Sequence, residues 1–257
     1  MSGSALILTY HAVQNGPAPL CVDPDLFREH LDVLADAGAS VLTVGQIAEA
    51  VRGGTLPDRA VAITFDDGFT SVGEHAAPLL AERGMSATIF AVAGALGGTN
   101  DWPTQPGAAP RRPLLSAAAL ADLAGAGHEI GSHGIEHAPL SIAAPAALRR
   151  EIVDSRAALE DAVGRPVRSF AYPYNAVPGP AGRELVRATY AAACAGGLST
   201  VRTGADPWRL ARVDSHYLRR PELLGRAVAG ELDKYLLLRR VGARSKRLLS
   251  KDYVAAA

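Results

Sequence analysis

The strongest constraint on the fold is one stretch, residues 60–69, in which an apolar run ends in Asp66, Asp67 and Gly68. The run has the character of a strand buried on both faces, as in a parallel sheet covered by helices. The carboxyl ends of such strands are where α/β proteins place their chemistry. The adjacent carboxylates therefore indicate one metal ligand beside one acid/base group. The alternative is a helix N-cap and a turn residue, since aspartate is common at both.

Strand-like and helix-like segments alternate about seven times along the chain. This order predicts an irregular (β/α) barrel with about seven parallel strands, and an open doubly wound sheet is the rival. No Gly-x-Gly-x-x-Gly follows a predicted strand and no Walker phosphate loop is present, which argues against a nucleotide-binding domain. We expect residues 1–218 to form the barrel, and residues 219–257 to form a C-terminal helix and basic tail that packs on it or extends from it.

Composition excludes several classes of partner. The 257 residues carry 26 Lys plus Arg and 26 Asp plus Glu, so no net charge attracts nucleic acid. The two cysteines, Cys21 and Cys194, are too few for a disulfide framework. With no apolar run of membrane-spanning length and no signal-peptide pattern, we expect a cytoplasmic protein. The basic segment 236–247 could touch an anionic membrane or a partner protein, or be a solvated helix end.

Two histidines follow another predicted strand. His133 and His137 are four residues apart, a spacing that puts both imidazoles on one side of a helical turn. There they can bind one ion together with a carboxylate from the Asp66-Asp67 pair. Such a set of three ligands leaves coordination positions open, as catalytic metal sites do.

Three segments resemble the signature motifs of the polysaccharide deacetylase family, the NodB-homology domains of carbohydrate esterase family four. Residues 64–68 and 132–137 resemble the first two motifs, and residues 170–174 resemble the third. The resemblance covers roughly residues 5–215. It implies a barrel hydrolase that removes an N-acetyl group from an N-acetylated sugar, whether a polysaccharide, an oligosaccharide or a sugar-containing metabolite. It also implies one divalent metal ion, zinc in the first place, with cobalt or nickel as further options.

The resemblance assigns roles residue by residue. It makes Asp67, His133 and His137 the metal ligands and Asp66 the general base. It places the backbone N–H that holds the developing oxyanion at Tyr174. These roles agree with metal-assisted amide hydrolysis, in which the base takes a proton from water while a donor stabilises the charged oxygen.

The general acid departs from the commoner family pattern. No Leu-x-His strand follows residue 200, and residues 8–11 instead resemble the circularly permuted subgroup, in which the last barrel strand has become the first. The resemblance therefore makes His11 the acid, and His216 is the competing candidate.

Other positions also depart from the pattern. Ala171 stands where an arginine normally pairs with the base, and we expect Arg209 to replace that guanidinium. The neighbouring Trp208 is expected to line the acetyl pocket. Gly134 stands where the second motif usually has a Ser or Thr hydroxyl that would brace the histidine loop.

Two alternative functions remain open. One is hydrolysis of another small-molecule amide, such as a formamide or a ureide. The other is a catalytically weakened relative that binds carbohydrate, because the expected arginine is missing at position 171. The intact Asp66 argues against pure binding, which would not need a base.

Overall fold

The computed structural model describes residues 3–105, 110–232 and 234–239. Its strands, in chain order, are β1 (Ser4–Tyr10), β2 (Ala12–Val13), β3 (Cys21–Val22), β4 (Ser40–Leu42), β5 (Ala60–Phe65), β6 (Thr88–Ala91), β7 (Glu129–Ser132), β8 (Ser169–Ala171), β9 (Ala192–Gly196), β10 (Val201–Arg202) and β11 (Leu210–Asp214). Its α-helices are α1 (Pro24–Asp36), α2 (Val44–Gly53), α3 (Ala77–Ala81), α4 (Ala117–Gly125), α5 (Pro145–Arg149), α6 (Ser155–Val163), α7 (Pro180–Thr189) and α8 (Pro221–Val228), followed by a helical stretch over 234–239.

The first strand closes the barrel. β1 pairs in parallel with β5, from Ala5 opposite Ala60 to Tyr10 opposite Phe65, and on its other side it pairs in parallel with β11. The circle continues from β5 through β6, β7, β8 and β9 to β11, all parallel. β4 adds to β5, and the antiparallel β10 adds to the start of β1. The predicted irregular barrel of about seven parallel strands is confirmed.

Strand alternation separates the barrel interior from the layer beneath the helices. On β5, Val61, Ile63 and Phe65 belong to the large core under the helices, whereas Ala60 and Ala62 belong to the interior core. By the same alternation, the side chain of Asp66 enters the interior at the carboxyl end of β5. The sequence of one buried strand thus fixes which of the two carboxylates points into the barrel.

Helix α2 covers the amino-terminal end of the barrel. Its first N–H groups, on Val44 and Gly45, donate to the Thr88 hydroxyl and the Glu129 carboxylate at the starts of β6 and β7. At its other end Arg52 donates to the Ala191 carbonyl, just before β9. Its buried face packs on the interior core. The opposite end, where the strands finish, is left for the site.

One helix carries an irregularity next to that mouth. α5 and α6 are joined by a π-helical turn, Arg150–Asp154, in which Glu151 and Ile152 are buried. Such turns insert an extra residue into a helix and redirect the side chains around it.

The C-terminal elements pack on the same core as the barrel helices. Leu224, Val228 and Leu236 join the core that contains Leu31 and Leu34 of α1. Most of the predicted basic tail lies outside the described residues. Within the described part of the chain, no helix is both long and apolar enough to cross a membrane.

Candidate active site

Asp66 and Asp67 leave β5 in different directions. Asp67 has a φ of 71° and Gly68 one of 78°, so the chain turns out of the strand through two left-handed positions. Glycine adopts this conformation freely, whereas for aspartate it is uncommon and is held by the surroundings. Both carboxylates are buried. The turn separates two neighbouring carboxylates that would otherwise share one environment.

The three predicted metal ligands come together at the mouth. The donor atoms of Asp67, His133 and His137 all lie within 4.8 Å of one another, and all three residues are buried. Oδ1 of Asp67 is 3.4 Å from Nε2 of His137 and 3.7 Å from Nε2 of His133. The two histidine Nε2 atoms are 3.2 Å apart. These residues could hold one metal ion.

The spacing fits a small divalent ion. Ligands bound to zinc at about 2.0–2.1 Å in a tetrahedron lie about 3.3–3.4 Å from one another. Nδ1 of His133 is 2.8 Å from the Ala171 carbonyl, which makes Nδ1 the N–H donor and leaves the Nε2 lone pair facing the cluster. Burial lowers the pKa of His137 well below its ordinary value, so its ring is neutral, as a ligand must be. The donor set therefore suits a metal ion.

Asp66 is paired with the guanidinium group of an arginine. Nη1 and Nη2 of Arg212 donate to Oδ1 and Oδ2 of Asp66 at 2.6 and 2.7 Å, and Nη1 also contacts the Thr64 hydroxyl at 3.3 Å. Burial alone would raise the pKa of Asp66, but the Arg212 guanidinium pulls it well below its usual range. For Asp67, burial raises the pKa, and the charges of His11 and His133 oppose that rise only in part. Opposed shifts in two adjacent carboxyl groups are typical of groups with separate roles.

The prediction that Arg209 replaces the missing guanidinium is wrong. Arg209 is exposed in the turn before β11, where its N–H donates to the Asp206 carbonyl. Arg212 lies on β11 at an inward-facing position, two residues after the interior Leu210, and its side chain reaches up the barrel to Asp66. The signal in the sequence was a charged residue within the short segment 210–213, which is otherwise apolar, because a buried charge requires a partner.

The two candidate acids lie in different environments. His11 directly follows β1 at the mouth, where it is half-buried and its charge acts on both aspartates. Its Nδ1 is buried without a hydrogen-bond partner among the described residues. His216 is exposed on a short 3₁₀ turn and packs on the ring of Tyr217. The structure places His11, and not His216, beside Asp66 and Asp67.

A wall of aromatic rings surrounds His137. The rings of Trp102 and Tyr174 each lie 4.5 Å from the His137 ring, centroid to centroid. Thr104 ties this wall together, because its hydroxyl contacts the Tyr174 hydroxyl at 2.8 Å and the His137 carbonyl at 3.2 Å. Tyr174 has a φ of 54°, so its backbone turns sharply after β8. The long loop before α4 thus covers one side of the site, and sequence reasoning had not assigned Trp102 or Thr104 to it.

Trp208 lies away from this mouth, and its predicted place in the acetyl pocket is wrong. It precedes β11 and is therefore at the amino-terminal end of the barrel. Its indole N–H donates to the Tyr190 carbonyl at 2.8 Å, and the guanidinium groups of Arg52 and Arg187 stack on its ring at 5.4 and 5.6 Å. These contacts are those of a structural tryptophan.

The fold and the site together define a parallel (β/α) barrel protein that could hold a metal ion, on an Asp-His-His cluster, beside an aspartate paired with arginine. A family model described as Polysaccharide deacetylase matches residues 53–193, more than half of the chain. The chain therefore belongs to the polysaccharide deacetylase family, as its motifs predicted.

Individual relatives agree with this assignment. YxkH of Bacillus subtilis, whose name assigns it provisionally to the polysaccharide deacetylases, is 29% identical over 168 residues, which are 65% of this chain and 55% of YxkH. The poly-beta-1,6-N-acetyl-D-glucosamine N-deacetylase of Escherichia coli is 35% identical over 77 residues, 28% of this chain and 12% of that enzyme. The chain thus matches about half the length of the first relative and a small part of the second.

Solved structures share the fold. BA0330 of Bacillus anthracis superimposes with a TM-score of 0.74 at 20% identity, covering 88% of this chain and 69% of that one. IcaB of Ammonifex degensii superimposes with a TM-score of 0.72 at 24% identity, covering 88% of this chain and 96% of that one.

Proposed function

We propose that this protein is a metal-dependent hydrolase that removes the N-acetyl group from an N-acetylated sugar. The observation that carries the proposal is that the neighbouring carboxylates of Asp66 and Asp67 have different partners. Asp67 joins two histidines in a cluster that suits one divalent ion, for which we propose zinc, while the Asp66 carboxylate is bound by Arg212. A deacetylase needs both parts, a site for the ion and an ionised carboxylate beside it.

The residues of the chain divide the reaction between them. Asp67, His133 and His137 would hold the ion, which when bound polarises the acyl carbonyl and lowers the pKa of an adjacent water molecule. Asp66 accepts the proton of the attacking water, and Arg212 keeps that carboxylate ionised and oriented. The backbone N–H of Tyr174 donates to the carbonyl oxygen as it gains charge. His11 gives a proton to the departing amine, which is a poor leaving group without one.

The order of the strands supports assignment to the circularly permuted subgroup. β1 opens the chain yet lies between β11 and β5, so His11 reaches the mouth from the strand next to the one that delivers Asp66. The paired termini of a closed barrel make such an exchange geometrically neutral.

The sugar substrate is inferred from the relatives. The Escherichia coli relative is named for its action on poly-beta-1,6-N-acetyl-D-glucosamine, and an N-acetylated glucosamine polymer or oligomer is the first substrate class to assay. The proposal of a catalytically weakened relative loses its basis, because Arg212 supplies the guanidinium that position 171 lacks.

Metal removal and restoration tests the metal dependence. Dialysis against a chelator should abolish acetate release from N-acetylglucosamine oligomers, and added Zn²⁺ or Co²⁺ should restore it. Acetate release that persists in the metal-free protein would contradict the proposal. Release of formate or of ammonia from a formamide or ureide library, without acetate release from any sugar, would instead support the small-amide alternative.

A pair of neighbouring variants tests the division between the carboxylates. Asp66→Asn should abolish turnover while one metal ion per chain remains bound, and Asp67→Asn should lose the ion. Metal content by mass spectrometry separates the two results. If Asp66→Asn lost the metal and Asp67→Asn retained it, the roles would be reversed.

A further inference from the structure

The loop that joins the two histidine ligands is wrapped around one buried carboxylate. Glu151 is 2% exposed and lies beneath the segment from His133 to His137. Its Oε2 accepts the Ile135 N–H at 2.9 Å, and its Oε1 and Oε2 accept the Glu136 N–H at 3.0 and 3.2 Å.

The loop needs such an acceptor because of its backbone conformation. Gly134 has a φ of 85° and His137 one of 55°. Two left-handed positions within four residues turn successive N–H groups inward, away from any strand or helix that could accept them. Buried N–H groups without partners are costly, and a histidine in this conformation persists only when its surroundings hold it there.

Gly134 and Glu151 are complementary in shape. A Cβ atom on Gly134 would overlap Oε2 of Glu151, so the glycine provides the space that the carboxylate fills. Glu151 lies in the π-helical turn Arg150–Asp154. Below it, the hydroxyl of Ser132 at the end of β7 donates to the Ser155 hydroxyl at 2.8 Å, which joins this helix to the strand that precedes the loop.

We propose that Glu151 is a positioning residue that sets the affinity of the site for its metal ion. By holding two amides of the loop between the histidines, it fixes the direction in which the His137 ring approaches His133 and Asp67. It also supplies, from a helix, the brace that position 134 lacks a side chain to provide. This inference rests on the proposed metal-dependent function.

The first test compares two glutamates that both lie at this loop. Glu151→Gln keeps the size of the side chain but turns one oxygen into an N–H₂ group, which cannot accept from the loop amides. Glu136→Gln makes the same change of charge on an exposed side chain of the same loop, where it removes a surface ion pair with Arg150 and leaves the loop amides bound to Glu151. We expect the dissociation constant for Zn²⁺, from competition with a chromophoric chelator, to rise about 10-fold or more in Glu151→Gln. It should stay within about twofold in Glu136→Gln.

Hydrogen exchange of the metal-free protein gives a readout that is independent of the ion. The amides of Ile135 and Glu136 should exchange faster in Glu151→Gln than in the wild type, while the amides of α4 should not change. A lower melting temperature with unchanged zinc affinity and unchanged exchange at these amides would show a merely structural role and would overturn the inference.

The glycine provides a second route if Glu151 variants fold poorly. Gly134→Ala should also weaken zinc binding, because its methyl group displaces the carboxylate. In a Glu151→Ala background, Gly134→Ala should weaken zinc binding clearly less, because the carboxylate that its methyl group would overlap is absent. Equal effects in both backgrounds would contradict the coupling.

Two results separate this inference from the proposed function. A wild-type protein that binds no divalent ion would overturn the proposed function. A wild type and a Glu151→Gln variant that bind zinc equally would overturn only this inference.

Discussion

The Arg212 guanidinium meets the Asp66 carboxylate edge to edge, with Nη1–Oδ1 and Nη2–Oδ2 separations of 2.6 and 2.7 Å, although 146 positions separate the two residues along the chain. Both side chains are almost completely buried. A bidentate pair of this kind fixes the plane of the carboxylate as well as its charge. The pair therefore decides how the proposed base faces the metal cluster.

Loss of Arg212 should impair both stability and turnover. Arg212→Met leaves Asp66 buried without its counter-charge, which should cost about 3–5 kcal/mol in the free energy of unfolding, measured in urea. Arg212→Lys keeps a charge but loses the second hydrogen bond, so it should fold better and still show a strongly reduced kcat.

The pH dependence of kcat in the Arg212→Lys variant should shift in one direction. Since Arg212 holds the pKa of Asp66 below its usual range, the wild-type carboxylate stays ionised well into acid. In Arg212→Lys that pKa should rise, and the acid limb of kcat should move to higher pH. Arg209→Met serves as the control. Because the Arg209 side chain is exposed, its replacement should change neither the pKa of Asp66 nor the acid limb of kcat. An unshifted acid limb in Arg212→Lys would contradict the role given to the pair.

Replacement of His11 should affect amides far more than activated esters. An amine must be protonated as it leaves, whereas nitrophenolate leaves without a proton. His11→Ala should therefore lower kcat for N-acetylated sugar by about 10²–10⁴-fold and lower 4-nitrophenyl acetate hydrolysis much less. His216→Ala should change neither rate, since His216 is exposed away from the aspartates. A selective loss of amide hydrolysis in His216→Ala instead would transfer the acid role to that residue.

The interior of the barrel should tolerate no added volume beside Phe90. A Cβ atom on Gly131 would lie 2.5 Å from the Phe90 ring and 2.7 Å from the Ser169 hydroxyl. Gly131→Ala should destabilise the fold by about 1–3 kcal/mol in urea unfolding through overpacking. Gly125→Ala is the matched control, since nothing lies within 4 Å of its added methyl group in α4, and it should stabilise by about 0.5–1 kcal/mol. A neutral Gly131→Ala would mean that the interior can relax.

Cys194 should make the protein sensitive to alkali. Burial raises the pKa of this thiol to about 12, whereas an unfolded cysteine titrates near 8.5. The contribution of the neutral thiol to stability is complete below the unfolded pKa and is lost as the pH rises toward the folded one. Between about pH 9 and 10.5, wild-type stability should fall by about 1.4 kcal/mol per pH unit more than that of Cys194→Ala. Urea unfolding under reducing conditions at several pH values measures this slope, and parallel slopes would contradict the prediction.

The sequence predicted those parts of the site that follow directly from strand ends. Asp66-Asp67 and the His133-His137 pair each follow a buried strand, and parallel strands bring their ends to one mouth. Arg212 was missed because its partner is chosen by the pairing of β11 with β1, which depends on how the barrel closes. A shift of three residues, from 209 to 212, exchanges an exposed turn at one end for the barrel interior.

Glu151 was beyond sequence reasoning for a related reason. A regular α-helix through its position is the simplest interpretation of the pattern, whereas the structure has a π-helical turn there. Gly134 did carry a signal, since a missing hydroxyl implies a brace from elsewhere. The residue that provides it could be identified only in three dimensions.

Helix α2 covers the amino-terminal end of the barrel, so the site lies at the end opposite to this helix. In the proposed reaction, the sugar amine and the acetate would both leave through the opening at the carboxyl ends of the strands, past the wall formed by Trp102 and Tyr174. Helix α2 would therefore influence how the products leave, although it lies at the opposite end of the barrel from the site.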